Sequence, residues 1–296
     1  MHINWFPGHM AKAQRMIREQ LKLVDVVLEL LDARIPASSS NPVITELIGS
    51  KPKVIVLNKV DLAEPEMTER WMKHFRSQGI PVVSIDSVSG KGTKTLVSQI
   101  EQMIGPKIAH LQAKGIKQRA IRAMILGIPN VGKSSLINRL LGAATVRTAD
   151  KPGVTRGQQW LKVGKNLELL DTPGVLWPRL EDQQAAVRLA LTGAINDDVY
   201  DREKIVLRLL TILRDRYSDR IITRYNLDPR IGEKENNEIL AAIAARRGCL
   251  RGGGVPDLEK AVMILLGEFR SGKLGVFTLE SPDEAEMADH HDDGEE

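Results

Sequence analysis

The sequence predicts an α/β architecture with a mostly parallel sheet, followed by an all-helical C-terminal domain. Three observations predict it. Short apolar runs rich in β-branched residues, Val24 to Leu31 and Val54 to Leu57, end in polar or turn residues and alternate with helix-spaced segments, the pattern of buried parallel strands. After Trp177-Pro178 the strand signals stop, and helical spacing of Leu, Ile, Val and Ala takes over. The length of 296 residues, 42% of them hydrophobic, is enough to bury one large core and a smaller one.

The elements follow in order. A helix is expected over Met10 to Lys22, then the strand Val24 to Leu31, a helix over Pro42 to Ile48 and the strand Val54 to Leu57. Glu66 to Gln78 suits a helix, Pro81 to Ile85 a strand, and Thr93 to Ile104 a further helix. Pro106 to Arg122 reads as a basic connector into the strand Ala123 to Gly127, followed by the helix Lys133 to Leu141. A polar, Gly-containing segment from Ala143 to Gly157 precedes two short strands near Gln158 to Val163 and Leu167 to Leu170. Four helices are then expected, over Asp182 to Leu191, Asp201 to Tyr217, Asn236 to Arg247 and Pro256 to Arg270. This places a domain boundary near 178, a helical domain over 178–280 and a disordered acidic tail over 281–296.

Composition excludes several classes. No stretch approaches the ~20 apolar residues of a membrane span, and Met1 to Gln20 mixes Trp5, Phe6 and Ile17 with Lys12, Arg15 and Arg18, unlike a signal peptide. A cytoplasmic, soluble protein with no membrane partner is expected, and a monomer. Cys249 is the single cysteine, so no intrachain disulfide can form, and a lone thiol of this kind usually packs as a small apolar residue. The net charge of +4 hides an asymmetry: Asp283 to Glu296 holds eight acids and no Lys or Arg, leaving residues 1–282 at +12. Such a body suits a polyanion such as RNA, although basic charge also serves solubility. The tail reads either as a solvated end or as a decoy polyanion.

Gly127-Ile128-Pro129-Asn130-Val131-Gly132-Lys133-Ser134 fits G-x-x-x-x-G-K-[ST] and stands after a predicted strand and at the start of a predicted helix. Glycines there let backbone N–H groups turn onto phosphates, and the helix N-terminus adds positive potential. Lys133 would reach the β- and γ-phosphates, the Ser134 hydroxyl would hold Mg²⁺, and Val131, Gly132 and Ser135 would complete the cradle.

Asn58-Lys59-Val60-Asp61 selects the base. A carboxylate at Asp61 can accept from the ring N1–H and the exocyclic amino group of guanine, whereas adenine would leave it unpaired. Asn58 would brace the loop, the Lys59 stem would lie over the base, and Val60 belongs to the same reader. The motif follows an apolar strand directly, at the carboxyl end where open α/β sheets bind ligands. Asp86 and Ser87, in Ser84-Ile85-Asp86-Ser87, would back the base through main-chain N–H groups or simply form a turn. Asp171-Thr172-Pro173-Gly174 offers a carboxylate to Mg²⁺ through water and the Gly174 N–H to the γ-phosphate. Thr155 is the candidate second Mg²⁺ hydroxyl, with Thr148 as the alternative. Together these motifs predict a GTP- and GDP-binding domain that hydrolyses GTP.

Conventional GTPases of this fold place the phosphate loop first and the guanine reader last. Here Asn58 to Asp61 precedes Gly127 to Ser134, so residues 1–177 read as a circularly permuted P-loop GTPase domain, with an N-terminal arm, feeding directly into the helical domain.

The permuted order, Asn4-Trp5-Phe6-Pro7-Gly8-His9-Met10, Asp32-Ala33-Arg34-Ile35-Pro36, and Arg246-Arg247-Gly248-Cys249-Leu250-Arg251 with Pro256-Asp257 carry a resemblance over nearly all of residues 1–280. On them the chain resembles the ribosome biogenesis GTPase A family of YlqF-like circularly permuted GTPases. The resemblance implies a GTPase acting late in assembly of the large (50S) ribosomal subunit, binding ribosomal RNA partly through its C-terminal helices and stimulated by the subunit. Alternatives are a GTP-gated RNA-binding module and a regulatory GTPase with a non-ribosomal partner. Val175 stands where many small GTPases carry a water-orienting Gln, and the resemblance points to His9 as the catalytic substitute; a helix cap or an RNA contact are the other readings of His9. Asn130 resembles the position that accompanies a K⁺ ion near the phosphates in some permuted GTPases, or only shapes the loop. No Asp or Glu occurs from Gln102 to Ala149, and Arg246, Arg247 and Arg251 flank Gly252-Gly253-Gly254 between two helices. Taken alone such loops are solvated faces; with the resemblance they are candidate RNA contacts.

Overall fold

Proline and asparagine set several helix starts. Pro36, Pro42 and Pro65 each stand at the first helical position, where a missing N–H costs nothing, and the Asn41 side chain accepts from the Val43 N–H to cap its helix. The computed structural model describes residues 7–115, 119–142, 160–170 and 182–285, with side chains from residue 14 onward. The chain divides into two compact units, one centred on residues 4–181 and joined by the segment from 277 onward, the other on 182–276.

The first unit runs α1 (Pro7–Leu21), β1 (Val26–Asp32), α2 (Pro36–Ser39), α3 (Pro42–Ile48), β2 (Lys53–Asn58), α4 (Pro65–Ser77), β3 (Val82–Ser84) and α5 (Thr93–Ala113). It continues with β4 (Ile121–Leu126), α6 (Lys133–Leu141), β5 (Trp160–Val163) and β6 (Leu167–Leu170). The strands form one sheet in the order β3-β2-β1-β4-β6-β5, parallel throughout except for the edge pair β5 and β6. The chain walks outward from β1 through β2 to β3, then returns to the other side of β1 at β4. The order therefore reverses between β1 and β4, the place at which open α/β sheets bind ligands beyond the strand ends.

Every residue of β1 is buried, as a central parallel strand requires. On one face Val27, Met124, Leu126 and Leu170 pack with Ile17 of α1 and Ile44 of α3. Leu31, Ile55 and Leu57 of the same face pack under Trp71 and Phe75 of α4. Glu29 shares that apolar face and is tolerated because Lys53 pairs with it at 3.0 Å and the Ser40 hydroxyl donates to it at 3.1 Å.

Three elements differ from expectation. The helix α5 continues through Pro106 to Ala113, where a connector was expected; proline removes one intrahelical bond, but Ile100 and Ile104 already anchor the helix on the core. The helix α1 begins at Pro7, so His9 lies inside its first turn and not ahead of it as a cap. Residues 277–280, expected with the helical domain, belong to the first unit, and residues 282–285 form a helical turn at the start of the acidic tail.

The second unit holds α7 (Gln183–Thr192), α8 (Arg202–Tyr225), α9 (Asn236–Arg246) and α10 (Leu258–Arg270). Leu189, Leu209, Leu213, Ile243, Leu265 and Phe269 are all buried, so the apolar stripes of these helices face the core of the unit. The helix α8 runs past Tyr217 to Tyr225, with a break in helical geometry at Tyr217, whose ring lies under the guanidinium of Arg220. Among the described residues no helix is long and apolar enough to cross a membrane.

Candidate nucleotide site

The strands β1, β2 and β4 end side by side, and each end carries a charged or glycine-rich loop. The register sets Asp32 of β1 directly opposite Asn58 of β2. The loop after β4 contains Gly127, where an added Cβ would stand 2.6 Å from the Leu30 carbonyl, and Gly132 at φ +104°, where a Cβ would stand 2.2 Å from the Asn58 side-chain nitrogen. Only glycine allows this approach. Asn130 and Lys59 both take left-handed backbone conformations, at φ 58° and 62°.

Two hydrogen-bonded links fasten the loop after β2 to the phosphate loop. The buried Asn58 amide donates to the Val131 carbonyl at 2.8 Å, and the Lys59 ammonium donates to the Asn130 carbonyl at 2.7 Å. The other side of the Asn58 amide accepts from the Ser87 N–H at 3.1 Å. One side chain thus ties three loops together. Lys133, at the start of α6, donates to the carbonyls of Gly127 at 3.0 Å and Ile128 at 2.8 Å, folding over the loop whose phosphates it would meet. Ser134 and Ser135 follow it in the first turn of that helix.

The Asp86 loop differs from expectation in one respect. The Ser87 N–H is taken by Asn58, and the N–H groups of Val88 and Ser89 donate to the Asp86 carboxylate at 2.8 and 3.2 Å. The Ser87 N–H, expected to face the base unless the segment simply forms a turn, is thus taken up by Asn58, and the Val88 and Ser89 N–H groups shape the turn, because an Asp side chain competes locally for backbone N–H groups.

Electrostatics separate the carboxylates. Asp32 is buried, which would raise its pKa, but Arg34 and Lys59 hold it well below the usual carboxylate range. Arg34 binds it through two bonds, at 2.9 and 2.7 Å, and the Lys59 ammonium lies 3.0 Å away. Burial pulls the Lys59 pKa down while Asp32 pulls it up. Burial outweighs the Asp32 charge, so the Lys59 pKa is lowered overall. Asp61 is exposed, yet partial desolvation by its loop and the Asp86 charge raise its pKa. At Asp86 burial is outweighed by the hydrogen bonds from Ser89 and Val88, and its pKa is lowered.

A pH dependence follows. Guanine would require the ionised Asp61, so GDP affinity is expected to weaken on acidification, beginning above the ordinary aspartate value of 3.8 because the pKa of Asp61 is raised. In that window Asp86 and Asp32 stay ionised, their pKa values being lowered. Titration calorimetry from neutral to acidic pH should show about one proton taken up per GDP released. A Kd independent of pH in that range would remove Asp61 from base recognition.

In the sequence Asp32 and Arg34 stand out only as part of the family signature; in the fold Arg34 binds Asp32, and Asp32 in turn pairs with Lys59. The available signal was a charged pair, Asp32-Ala33-Arg34, at the end of a mostly apolar strand. Thr148, Thr155, Asp171, Gly174 and Val175, and the side chain of His9, lie outside the described residues. Of the candidate RNA contacts, Arg247 is bound to Glu268 and stacks over Tyr225, with Glu268 held down to a pKa of about 2 chiefly by the hydrogen bond from Arg224. Arg251 pairs with Asp257 at 3.2 Å. Arg246 is exposed and has no partner among the described residues.

A phosphate loop and the Asn58-Lys59-Val60-Asp61 motif at neighbouring strand ends, in reversed chain order, define a circularly permuted P-loop GTPase. A family model described as a 50S ribosome-binding GTPase matches residues 122–232, starting at the strand before the phosphate loop and leaving the guanine reader outside it. The ribosome biogenesis GTPase A of Priestia megaterium is 50% identical over 97% of this chain and 99% of its own length, and that of Thermotoga maritima 31% identical over 95% of each. The mitochondrial ribosome-associated GTPase 1 of Xenopus tropicalis is 34% identical over 94% of each chain. Among solved structures, GNP-bound YlqF from Thermotoga maritima superposes with a TM-score of 0.62 at 29% identity, over 92% of this chain and 99% of that one. The chain belongs to the ribosome biogenesis GTPase A family and is a GTP-binding, GTP-hydrolysing protein of ribosome biogenesis.

Proposed function

We propose that this GTPase is a switch in late assembly of the large ribosomal subunit, binding precursor particles and their ribosomal RNA in the GTP state and leaving after hydrolysis. The observation that carries the reading is the bond from Asn58 to Val131, which fastens a guanine reader to a phosphate loop in a chain of this family. In this reading Asp61 receives the guanine N1–H and amino group, with Asn58, Lys59, Val60, Asp86 and Ser87 shaping that pocket. Asn130, Val131, Gly132, Lys133, Ser134, Ser135 and Gly174 surround the phosphates.

The residues fit Mg²⁺. A serine hydroxyl in the first turn of α6, beside a loop whose glycines allow no Cβ at two close approaches, is a hard oxygen donor of the kind a hydrated Mg²⁺ takes. Ser134, Thr155 and Asp171, the last through water, would hold it, and Asn130 would serve a K⁺ ion. Bound Mg²⁺ would neutralise charge on the β- and γ-oxygens. Lys133 would exchange its two loop carbonyls for phosphate oxygens, a transfer of existing hydrogen bonds. His9 would orient the attacking water, its neutral imidazole accepting a proton near pH 7. Exposed Arg246 offers a phosphate contact, while Arg247 and Arg251 would reach RNA only by sharing their carboxylate partners.

Steady-state GTP hydrolysis with and without large subunits, in potassium and in sodium, tests this for wild type and His9→Ala. Large subunits are expected to stimulate wild type by about 10²-fold or more, the scale on which a positioned acid–base group acts. His9→Ala should lose that stimulation while binding GTP normally. RNA binding without stimulation would favour a GTP-gated RNA-binding module, and no effect of the ribosome would overturn both.

A further inference from the structure

After Val276 the chain leaves the helical unit, and residues 277–280 lie along the first unit on the loops that follow β1 and β2. The Phe277 N–H donates to the Leu62 carbonyl at 2.9 Å, one residue beyond Asp61. Thr278 and Glu64 exchange two bonds: the Thr278 hydroxyl oxygen accepts from the Glu64 N–H at 3.1 Å, and the Thr278 N–H donates to the Glu64 carboxylate at 3.2 Å. The Leu279 N–H donates to the Arg34 carbonyl at 2.8 Å. The Glu280 carboxylate accepts from the Ser38 N–H at 2.9 Å and the Ser38 hydroxyl at 2.6 Å, and its carbonyl accepts from the Trp71 indole at 3.2 Å.

Thr278 and Glu280 are 0% and 2% exposed, so these polar groups have no water to fall back on. Burial of Phe277 and Leu279 alone would anchor a passing segment. The polar bonds do something more particular, since they reach both loops that carry the base-reading apparatus. One holds Arg34, which holds Asp32, which pairs with Lys59. The other holds the turn in which the Leu62 N–H donates to the Lys59 carbonyl at 2.9 Å, enclosing Asp61.

We infer that residues 277–280 are a positioning element of the guanine site, with Thr278 and Glu280 setting the two loops that aim Lys59 and Asp61. The inference rests on the reading of Asp61 as the guanine acceptor. It makes base recognition depend on a segment joined to the last residue of the helical unit by the Val276-Phe277 peptide bond.

The test compares the full-length protein with Glu280→Ala, Glu280→Gln and Thr278→Val, titrating GDP and IDP, which lacks the exocyclic amino group. Glu280→Ala leaves the Ser38 N–H buried without its acceptor, and GDP affinity is expected to fall roughly tenfold, the scale of one buried hydrogen bond. IDP affinity should fall much less, so discrimination narrows. Glu280→Gln keeps an acceptor for the Ser38 N–H and should recover most of it. Thr278→Val keeps the shape, removes the acceptor for Glu64, and should repeat the narrowing even where Glu280→Ala folds poorly. A purely structural role would lower the melting temperature and leave the GDP-to-IDP ratio at the wild-type value in both Glu280→Ala and Thr278→Val; that result overturns the inference. Asp61→Asn serves as the control: if it leaves the base preference unchanged, the reading of Asp61 fails by itself, whatever the Glu280 and Thr278 variants do.

Discussion

Asp61→Asn is expected to exchange guanine for xanthine. A carboxylate offers two acceptors, matched to the N1–H and amino group of guanine. The carboxamide offers one acceptor and one donor, matched to the N1–H and C2 carbonyl of xanthine. GDP affinity should fall on the order of 10⁴-fold, because a site built around polar partners penalises a mismatch heavily, and XDP should gain correspondingly. The substitution removes the charge that faces Asp86 and replaces a group whose pKa burial and that neighbour raise, so it should not destabilise the empty protein. Competition of GDP and XDP for the variant, with chemical unfolding as the stability check, decides it. If the variant still prefers GDP, another group reads the base.

Gly132→Ala should abolish nucleotide binding by a different route. At φ +104° a Cβ costs about 1–3 kcal/mol in backbone strain alone, and here it would lie 2.2 Å from the Asn58 amide nitrogen. Relief requires Asn58 to move, breaking its 2.8 Å bond to Val131 and disturbing the Ser87 N–H it accepts from at 3.1 Å. Each buried bond lost adds about 1–3 kcal/mol. The guanine reader and phosphate loop would then part, and a displacement of about 1 Å can cost 10²-fold. GDP and GTP affinities are both expected to drop at least about 10²-fold, and GDP should no longer raise the urea midpoint as it does for wild type. A variant that binds GDP as wild type does would show that the two loops work independently.

The second result turns on contacts between segments far apart in the chain, and this marks where the sequence stopped being informative. The strands were legible because a central parallel strand is a short, mostly apolar run, as in Val24 to Leu31, interrupted only by Asp25 and Glu29, and in Val54 to Leu57. The phosphate loop was legible because its spacing is local and its glycines are demanded by backbone approach. The α5 continuation was not, since Pro106 is a strong local signal to stop and the helix nonetheless runs on to Ala113. Arg247 and Arg251 read as free cations, but their carboxylate partners, Glu268 and Asp257, are brought to them by folding of the helical unit. The Asp86 loop was half legible: a turn was foreseen, and which N–H groups it consumes was not.

The sequence by itself determined the class of architecture, the two nucleotide motifs and their reversed order, because each depends on residues within a few positions of one another. Only the tertiary structure decided how those motifs are held. Asn58 meets Val131 across 73 positions, Lys59 meets Asn130 across 71, and Glu280 meets Ser38 across 242. A hydrogen bond leaves no periodicity in a sequence when its partners are set side by side by strand register and chain return, and those are consequences of burying the whole sheet at once.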